Sequence, residues 1–260
     1  MIDTHCHLTS SDISPRLHEV IAEAKGHGVD RFITIGTMLD DGDALQMIAE
    51  NNENVWFTIG LHPHDAARWA DRSQDIDQAL SHFASHEKCV GIGEMGLDLH
   101  YDDPPLDTQI KAFETQLNWV KVTGCEKPIV IHNRKATEQT LGVLRESGLP
   151  GDRFVFHCFT GEPSEVDAIL DFGATVGFTG VVTFKNADAV REAFDRVPID
   201  RVLIETDSPY LTPEPYRKVR PNEPRYVADV AKFLAKRRKL SLKDFTKQVD
   251  ANAERLFSLN

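Results

Sequence analysis

The chain has 260 residues, 41% of them hydrophobic and 27% charged, which is enough apolar material to bury a sizeable core and excludes a disordered segment. Lys and Arg number 29 against 41 Asp and Glu, a formal charge of −12 that argues against wrapping nucleic acid over a broad basic surface but permits a local phosphate site, especially where bound cations add charge. No apolar stretch approaches the roughly 20 residues of a membrane span, and the start lacks the basic flank and apolar segment of a secretory signal, so a cytoplasmic protein with no membrane partner is expected.

In chain order, apolar runs read as strands at MIDTHCHL, DRFITIG, VWFTIGLH, KCVGIGE, KPIVIH, RFVFH, ATVGFTG and RVLIETD. Between them RLHEVIAEAKGHG, ALQMIAENN, DIDQALSHFASH, TQIKAFETQLNWVKVTG, ATEQTLGVLRESG, SEVDAILDFG and NADAVREAFDRV carry the apolar spacing of helices. Gly26, Gly124, Gly148 and Gly173 punctuate helix ends. After the eighth strand come a proline-rich loop, SPYLTPEPYRKVRPNEP, a helix RYVADVAKFLAKRRK, and a last helix from about Ser241 to Phe257. Eight β-α units in about 250 residues, built on strands apolar on both faces, predict an α/β fold. It is one (β/α)8 TIM-type barrel over residues 1–260, a single domain with an additional C-terminal helix, in preference to an open doubly wound sheet. The KRRK at 236–239 is read as a solvated helix end rather than a nucleic-acid patch. Cys6, Cys89, Cys125 and Cys158 are widely spaced and form no C-x-x-C pair, so no disulfide is implied.

The ionisable residues fall in a pattern. In an extended strand His5 and His7 share a face with Asp3, so two imidazoles converge. Glu94 ends the fourth run, His132 the fifth, His157 the sixth, and Asp207 the eighth. All lie at carboxyl ends of strands, the barrel face on which active sites are assembled from residues distant in sequence. Any one of these histidines, taken alone, reads as a hydrogen-bonded core or rim residue. Four imidazoles and two carboxylates together read as ligands of divalent metal, with no thiolate needed. His62 and His64 in GLHPHD lie on the same face and are read as substrate contacts rather than as mere formers of the Pro63 turn. His18, His27, His82 and His86 fall in amphipathic segments and receive no role.

DTHCHL, GLHPHD, GIGEMGLD, PIVIHNRKA, FHCFTG, GFTGVVTFKNA, IETDSPYL and NEP, in this order over nearly the whole chain, resemble the successive motifs of the TatD-related hydrolases, a metal-dependent branch of the amidohydrolase superfamily. The resemblance implies a binuclear site in which His5, His7 and Asp207 hold one ion, His132 and His157 the other, and Glu94 bridges them. Glu205, two residues before Asp207 on its strand face, would support the ligands or orient water; the bland alternative is a buried carboxylate paired with a lysine or arginine. Two departures from the family pattern, Lys135 after Arg134 where an acidic residue is common, and His100 where an aromatic residue is common, touch no expected ligand.

Two divalent ions, Mg, Mn or Zn, sharing a water would lower its pKa, and Asp207 would take its proton provided one carboxylate oxygen stays free. The resemblance favours phosphodiester bonds at DNA 3′ ends, with DNA ends or short single-stranded nucleic acid as partner and no obligate protein partner. Arg134 and Lys185, on the loops after strands five and seven, would grip one or two terminal phosphates, in preference to forming surface salt bridges. The same chemistry would serve an amide or ester hydrolase such as an aminoacyl-tRNA deacylase. A non-catalytic binding protein on this fold would have shown the loss of ligands, and none is missing.

Overall fold

All eight apolar runs become strands in the computed structural model, which describes residues 1–259. They are β1 (Ile2–Cys6), β2 (Arg31–Thr34), β3 (Val55–Ile59), β4 (Cys89–Asp98), β5 (Ile129–Arg134), β6 (Phe154–Phe156), β7 (Thr175–Phe178) and β8 (Val202–Ile204). Neighbours in sequence are neighbours in the sheet and every pairing is parallel. Ten helices connect and cover them: α1 (Leu17–Gly26), α2 (Gly42–Glu50), α3 (Ala66–Trp69), α4 (Ser73–Ala84), α5 (Leu106–Thr123), α6 (Thr137–Ser147), α7 (Pro163–Phe172), α8 (Asp188–Arg196), α9 (Val227–Arg237) and α10 (Leu242–Phe257). The one-turn α3, after GLHPHD, was not foreseen from periodicity, which needs more than four residues to register.

All four expected glycines mark helix ends, and three of them, Gly124, Gly148 and Gly173, take left-handed backbone at φ 65°, 71° and 107°. At α1 the left-handed residue is Gly28, at φ 79°, while Gly26 remains helical. The helix thus closes at Gly26, as expected, and the left-handed turn follows two residues later.

The sheet closes on itself, which excludes the open doubly wound alternative. Just past β8, Asp207 N–H donates to the His5 carbonyl at 2.9 Å and His7 N–H donates to the Ser208 carbonyl at 2.8 Å. Lower on the seam Asp3 replaces backbone pairing: its carboxylate accepts from the Thr206 N–H at 2.9 Å and hydroxyl at 2.6 Å. Burial pushes the Asp3 carboxyl up to about 8, against these hydrogen bonds. Asp3 shares β1 with His5, and its alternation with His7 just past the strand end, but is spent on closure.

Two apolar layers follow from strand alternation. Phe32, Phe57, Ile129, Ile131, Phe154 and Phe156 belong to the large core packed with the helices. Ile33, Trp56, Val130, Val155 and Leu203 form a separate cluster with Ala253, Phe257 and Leu259. The additional helix α10, with Leu259 just past its end, supplies those last contacts from the amino-terminal end of the barrel, where Asn252 donates to the Ile199 and Val202 carbonyls at 2.7 and 2.9 Å and Arg31 reaches Glu254 at 2.6 Å. With one mouth plugged, the carboxyl-terminal mouth is left for the site. His132 lies two residues past Val130, His157 two past Val155, and Glu205 and Asp207 two and four past Leu203, on the inward parity.

Within KRRK, Arg237 pairs with Asp195 and Arg238 donates to the Phe194 carbonyl at 2.6 Å, so these residues complement the carboxyl end of α8. All four cysteines are free thiols. Among the described residues no helix is long and apolar enough to cross a membrane.

Candidate metal centre

His5, His7, Glu94, His132, His157 and Asp207 meet in the open mouth. His7 Nε2 lies 3.2 Å and His5 Nε2 3.7 Å from Asp207 Oδ1, and these three residues can offer donor atoms to one point. Glu94 faces both sides. Its Oε2 lies 3.3 Å from His5 Nε2, while its Oε1 lies 2.7 Å from His132 Nδ1 and 2.7 Å from His157 Nε2. The two latter nitrogens are 3.4 Å apart. The strand-one run is shorter than expected, ending at Cys6, yet the His5 and His7 rings still converge, 5.1 Å between centroids. Asp207 sits beyond β8 in left-handed backbone, φ 55°, a strained setting for a non-glycine residue that turns its carboxylate inward at the seam.

The electrostatics are those of a closely coupled cluster. Burial opposes a charge on Glu94, but the surrounding His157, His132 and His5 imidazoles outweigh it and hold the carboxyl well below the ordinary range. Burial, helped by the neighbouring His157, pushes His5 down to about 4. For His132 burial is outweighed by bonds to Asp98 and Glu94, which lift it to about 9.

Both ring nitrogens of His5 are buried without a hydrogen-bond partner. Unpaired buried imidazole nitrogens are costly unless something accepts their lone pairs. A donor set of nitrogen and carboxylate oxygen meets that need with a divalent cation. Thiolate plays no part: burial pushes the Cys158 thiol well above its ordinary value, and its Sγ lies 3.5 Å from Thr179 Oγ1. The residues therefore fit divalent metal.

Asp98 is a site residue that sequence reading missed. β4 does not end at Glu94 but continues to Asp98, four residues on. Its buried Oδ2 accepts from His132 Nε2 at 3.1 Å and from His64 Nε2 at 3.0 Å. A ligand histidine whose second nitrogen donates to a carboxylate is held in one tautomer and one orientation. The available signal was the even spacing of Glu94 and Asp98 within GEMGLD.

Glu205 is buried without a lysine or arginine partner among the described residues. Thr4 Oγ1 donates to its Oε2 at 3.3 Å, the Cys158 N–H donates to Oε1, and His157 Nδ1 stands 3.7 Å away. Burial lifts its carboxyl to about 7.

The residues assigned to substrate divide. His62 does shape the Pro63 turn, since its Nδ1 accepts from the His64 N–H at 3.2 Å. It also enters the cluster, with Nε2 3.5 Å from Glu94 Oε1, so that His62, Glu94 and His132 form a second group able to converge on one point. Arg134 lines the roughly 960 Å³ cavity over the cluster, its guanidinium 5.4 Å above the Tyr101 ring, with no ion pair among the described residues. Lys185 is not brought to the cluster. It is exposed outside that cavity, on a loop that Arg191 ties down by donating to the Val182, Phe184 and Lys185 carbonyls. Lys135 and His100 are exposed.

A closed parallel barrel with imidazoles and carboxylates converging in its carboxyl-terminal mouth is the architecture of a metal-dependent hydrolase. Residues 2–258 match the family model described as TatD related DNase, and the chain belongs to that family. It is similar to the uncharacterised metal-dependent hydrolase YabD of Bacillus subtilis strain 168, 37% identical over 260 residues with both chains covered in full. It is likewise similar to the 3′-5′ ssDNA/RNA exonuclease TatD of Klebsiella pneumoniae strain 342, 34% identical over all of this chain and 98% of that one. The crystal structure of YJJV, a TatD homologue from Escherichia coli K12, superposes with a TM-score of 0.90 at 26% identity, covering 100% of this chain and 98% of the other. The chain is thus a hydrolytic enzyme that depends on metal.

Proposed function

We propose that the enzyme hydrolyses phosphodiester bonds at the 3′ ends of DNA or short single-stranded nucleic acid, in the cytoplasm and as a single domain, using two divalent ions of Mg, Mn or Zn. The observation that carries the two-ion reading is the division of Glu94: Oε2 faces His5, beside His7 and Asp207, while Oε1 faces His132 and His157. Divalent ions bound there would supply Lewis acidity and lower the pKa of an attacking water. Asp207, whose Oδ1 is turned to His7, would keep its other oxygen to take a proton from water. Glu205 steadies His157 from behind. The Arg134 guanidinium, free of carboxylates and open to the cavity, holds phosphate. His62 and His64 border the same cavity and orient the substrate. The relative named as an ssDNA/RNA exonuclease supports nucleic acid as the substrate class.

End-labelled single-stranded DNA, duplex DNA, RNA and an aminoacyl ester, each with a chelated control, test the reading. Cleavage of the ester alone would replace it with a deacylase. Protein given excess Mn or Zn is expected to bind two ions per chain by elemental analysis; one tight ion with full activity would overturn the binuclear centre.

Arg134→Ala is expected to raise KM for DNA by the equivalent of about 1–3 kcal/mol, flatten its salt dependence and leave metal content unchanged. Lys185→Ala, remote from the cavity, serves as the comparison and should affect the salt dependence more weakly. An unaltered KM in Arg134→Ala would remove that residue from the site.

A further inference from the structure

Beside the catalytic cavity lies a second one of about 470 Å³, and the two share Tyr210 and Leu211 as a common wall. Tyr210 is 60% exposed and its ring centroid is 6.2 Å from that of His7, so one aromatic face serves as the partition next to the candidate metal centre. The partition is held from below. Buried Asn222 donates from Nδ2 to the Tyr210 and Thr206 carbonyls, and its own N–H donates to the Pro209 carbonyl at 2.9 Å.

The far side of this wall carries Arg217 and Arg220. The Arg217 guanidinium stacks 3.9 Å over Phe184, and Arg220 donates to Thr212 Oγ1 at 3.0 Å and to the Val219 carbonyl at 3.2 Å. Neither forms an ion pair among the described residues, although Asp12 also lines the cavity. The proline-rich loop holding them adds Lys218; of its two glutamates, Glu223 is occupied by Arg16 and Arg225, while Glu214 has no ion pair among the described residues, leaving three unpaired cations against one carboxylate. In a chain of net charge −12, this loop sets unpaired cations beside an exposed aromatic ring at the edge of the site.

A planar ring flanked by unpaired guanidinium groups suits a ligand that is itself an aromatic base carrying a phosphate. An exposed ring reached from the side of a strand stacks on a base freed from pairing, which favours single strands over the interior of a duplex. We propose that the second cavity binds the nucleotide adjoining the scissile one, its base stacked on Tyr210 and its phosphate held by Arg217 and Arg220. The inference rests on the nuclease reading above and deepens it: the enzyme prefers substrates that extend at least one nucleotide past the cleaved bond.

The test compares kcat/KM on a short single-stranded oligonucleotide with kcat/KM on bis(4-nitrophenyl) phosphate, a diester too small to reach the second cavity. In Arg217→Ala/Arg220→Ala the ratio of the two is expected to fall about tenfold, and the log–log salt dependence of oligonucleotide KM to flatten by about one. Because Arg220 also braces its loop, Arg217→Ala and Tyr210→Ala are measured singly, each expected to lower the ratio, with Tyr210→Phe restoring it. A ratio and salt slope equal to those of the unaltered enzyme in every variant, with oligonucleotide still cleaved, would overturn the subsite and leave the nuclease reading standing. An enzyme that cleaves no nucleic acid would overturn both.

Discussion

Glu94→Gln is expected to abolish most turnover, by at least about two to three orders of magnitude, while the barrel stays folded. The side chain faces both donor sets, and its charge offsets that of the imidazoles around it and, in the two-ion centre proposed above, would offset the mutual repulsion of the cations. Glutamine keeps the shape but replaces one acceptor oxygen with an NH2 aimed at nitrogen ligands, so one half of the centre loses its bridge. At least one ion should be lost or bound far more loosely, read by elemental analysis after dialysis. The fold survives because the neighbouring Cys89, Val90 and Ile92 remain buried in the wall, and residues at this mouth serve function more than stability. Two tightly held ions and near-normal hydrolysis in this variant would require a different bridging ligand.

The second large effect belongs to Asp98→Asn. His132 stands between Glu94 on Nδ1 and Asp98 on Nε2, an arrangement that fixes which nitrogen faces the centre. Removing the charge leaves the amide free to present NH2 to His132 and His64, both of which now donate to one oxygen. Loss of such a carboxylate typically weakens metal binding by about 10–100-fold. Titration with Mn should show a weakened site and activity that recovers in part with excess metal, a recovery Glu94→Gln would not share. Wild-type affinity in Asp98→Asn would make Asp98 a brace for His64 alone.

The contrast between Glu94 and Asp98 illustrates what was legible beforehand. Glu94 interrupts an apolar run, and a buried-looking carboxylate at a strand end draws attention by itself. Asp98 closes a glycine-rich stretch, GEMGLD, of weak strand propensity, so the extension of β4 was invisible until its pairing with β5 from Met95↔Ile131 to Asp98↔Arg134 supplied the hydrogen bonds. His62 and Lys185 differ for a related reason. Both were placed on the correct face by following a strand, but loop conformation decides distance: the Pro63 turn brings one imidazole to Glu94, while the loop after β7 carries the lysine out of the cavity.

Periodicity along the chain determined the alternation of strands and helices, the barrel class, the additional helix near Ser241 and the positions of the six candidate ligands, because these depend on local spacing of apolar and ionisable side chains. Only the tertiary structure decided how the barrel closes through Asp3 and Thr206, that α10 plugs the amino-terminal mouth, which Glu94 oxygen faces which histidine set, and that Tyr210 partitions two cavities. Each of those joins residues separated by tens to hundreds of positions. Such contacts are set by packing and strand register, which no short-range pattern in the chain encodes.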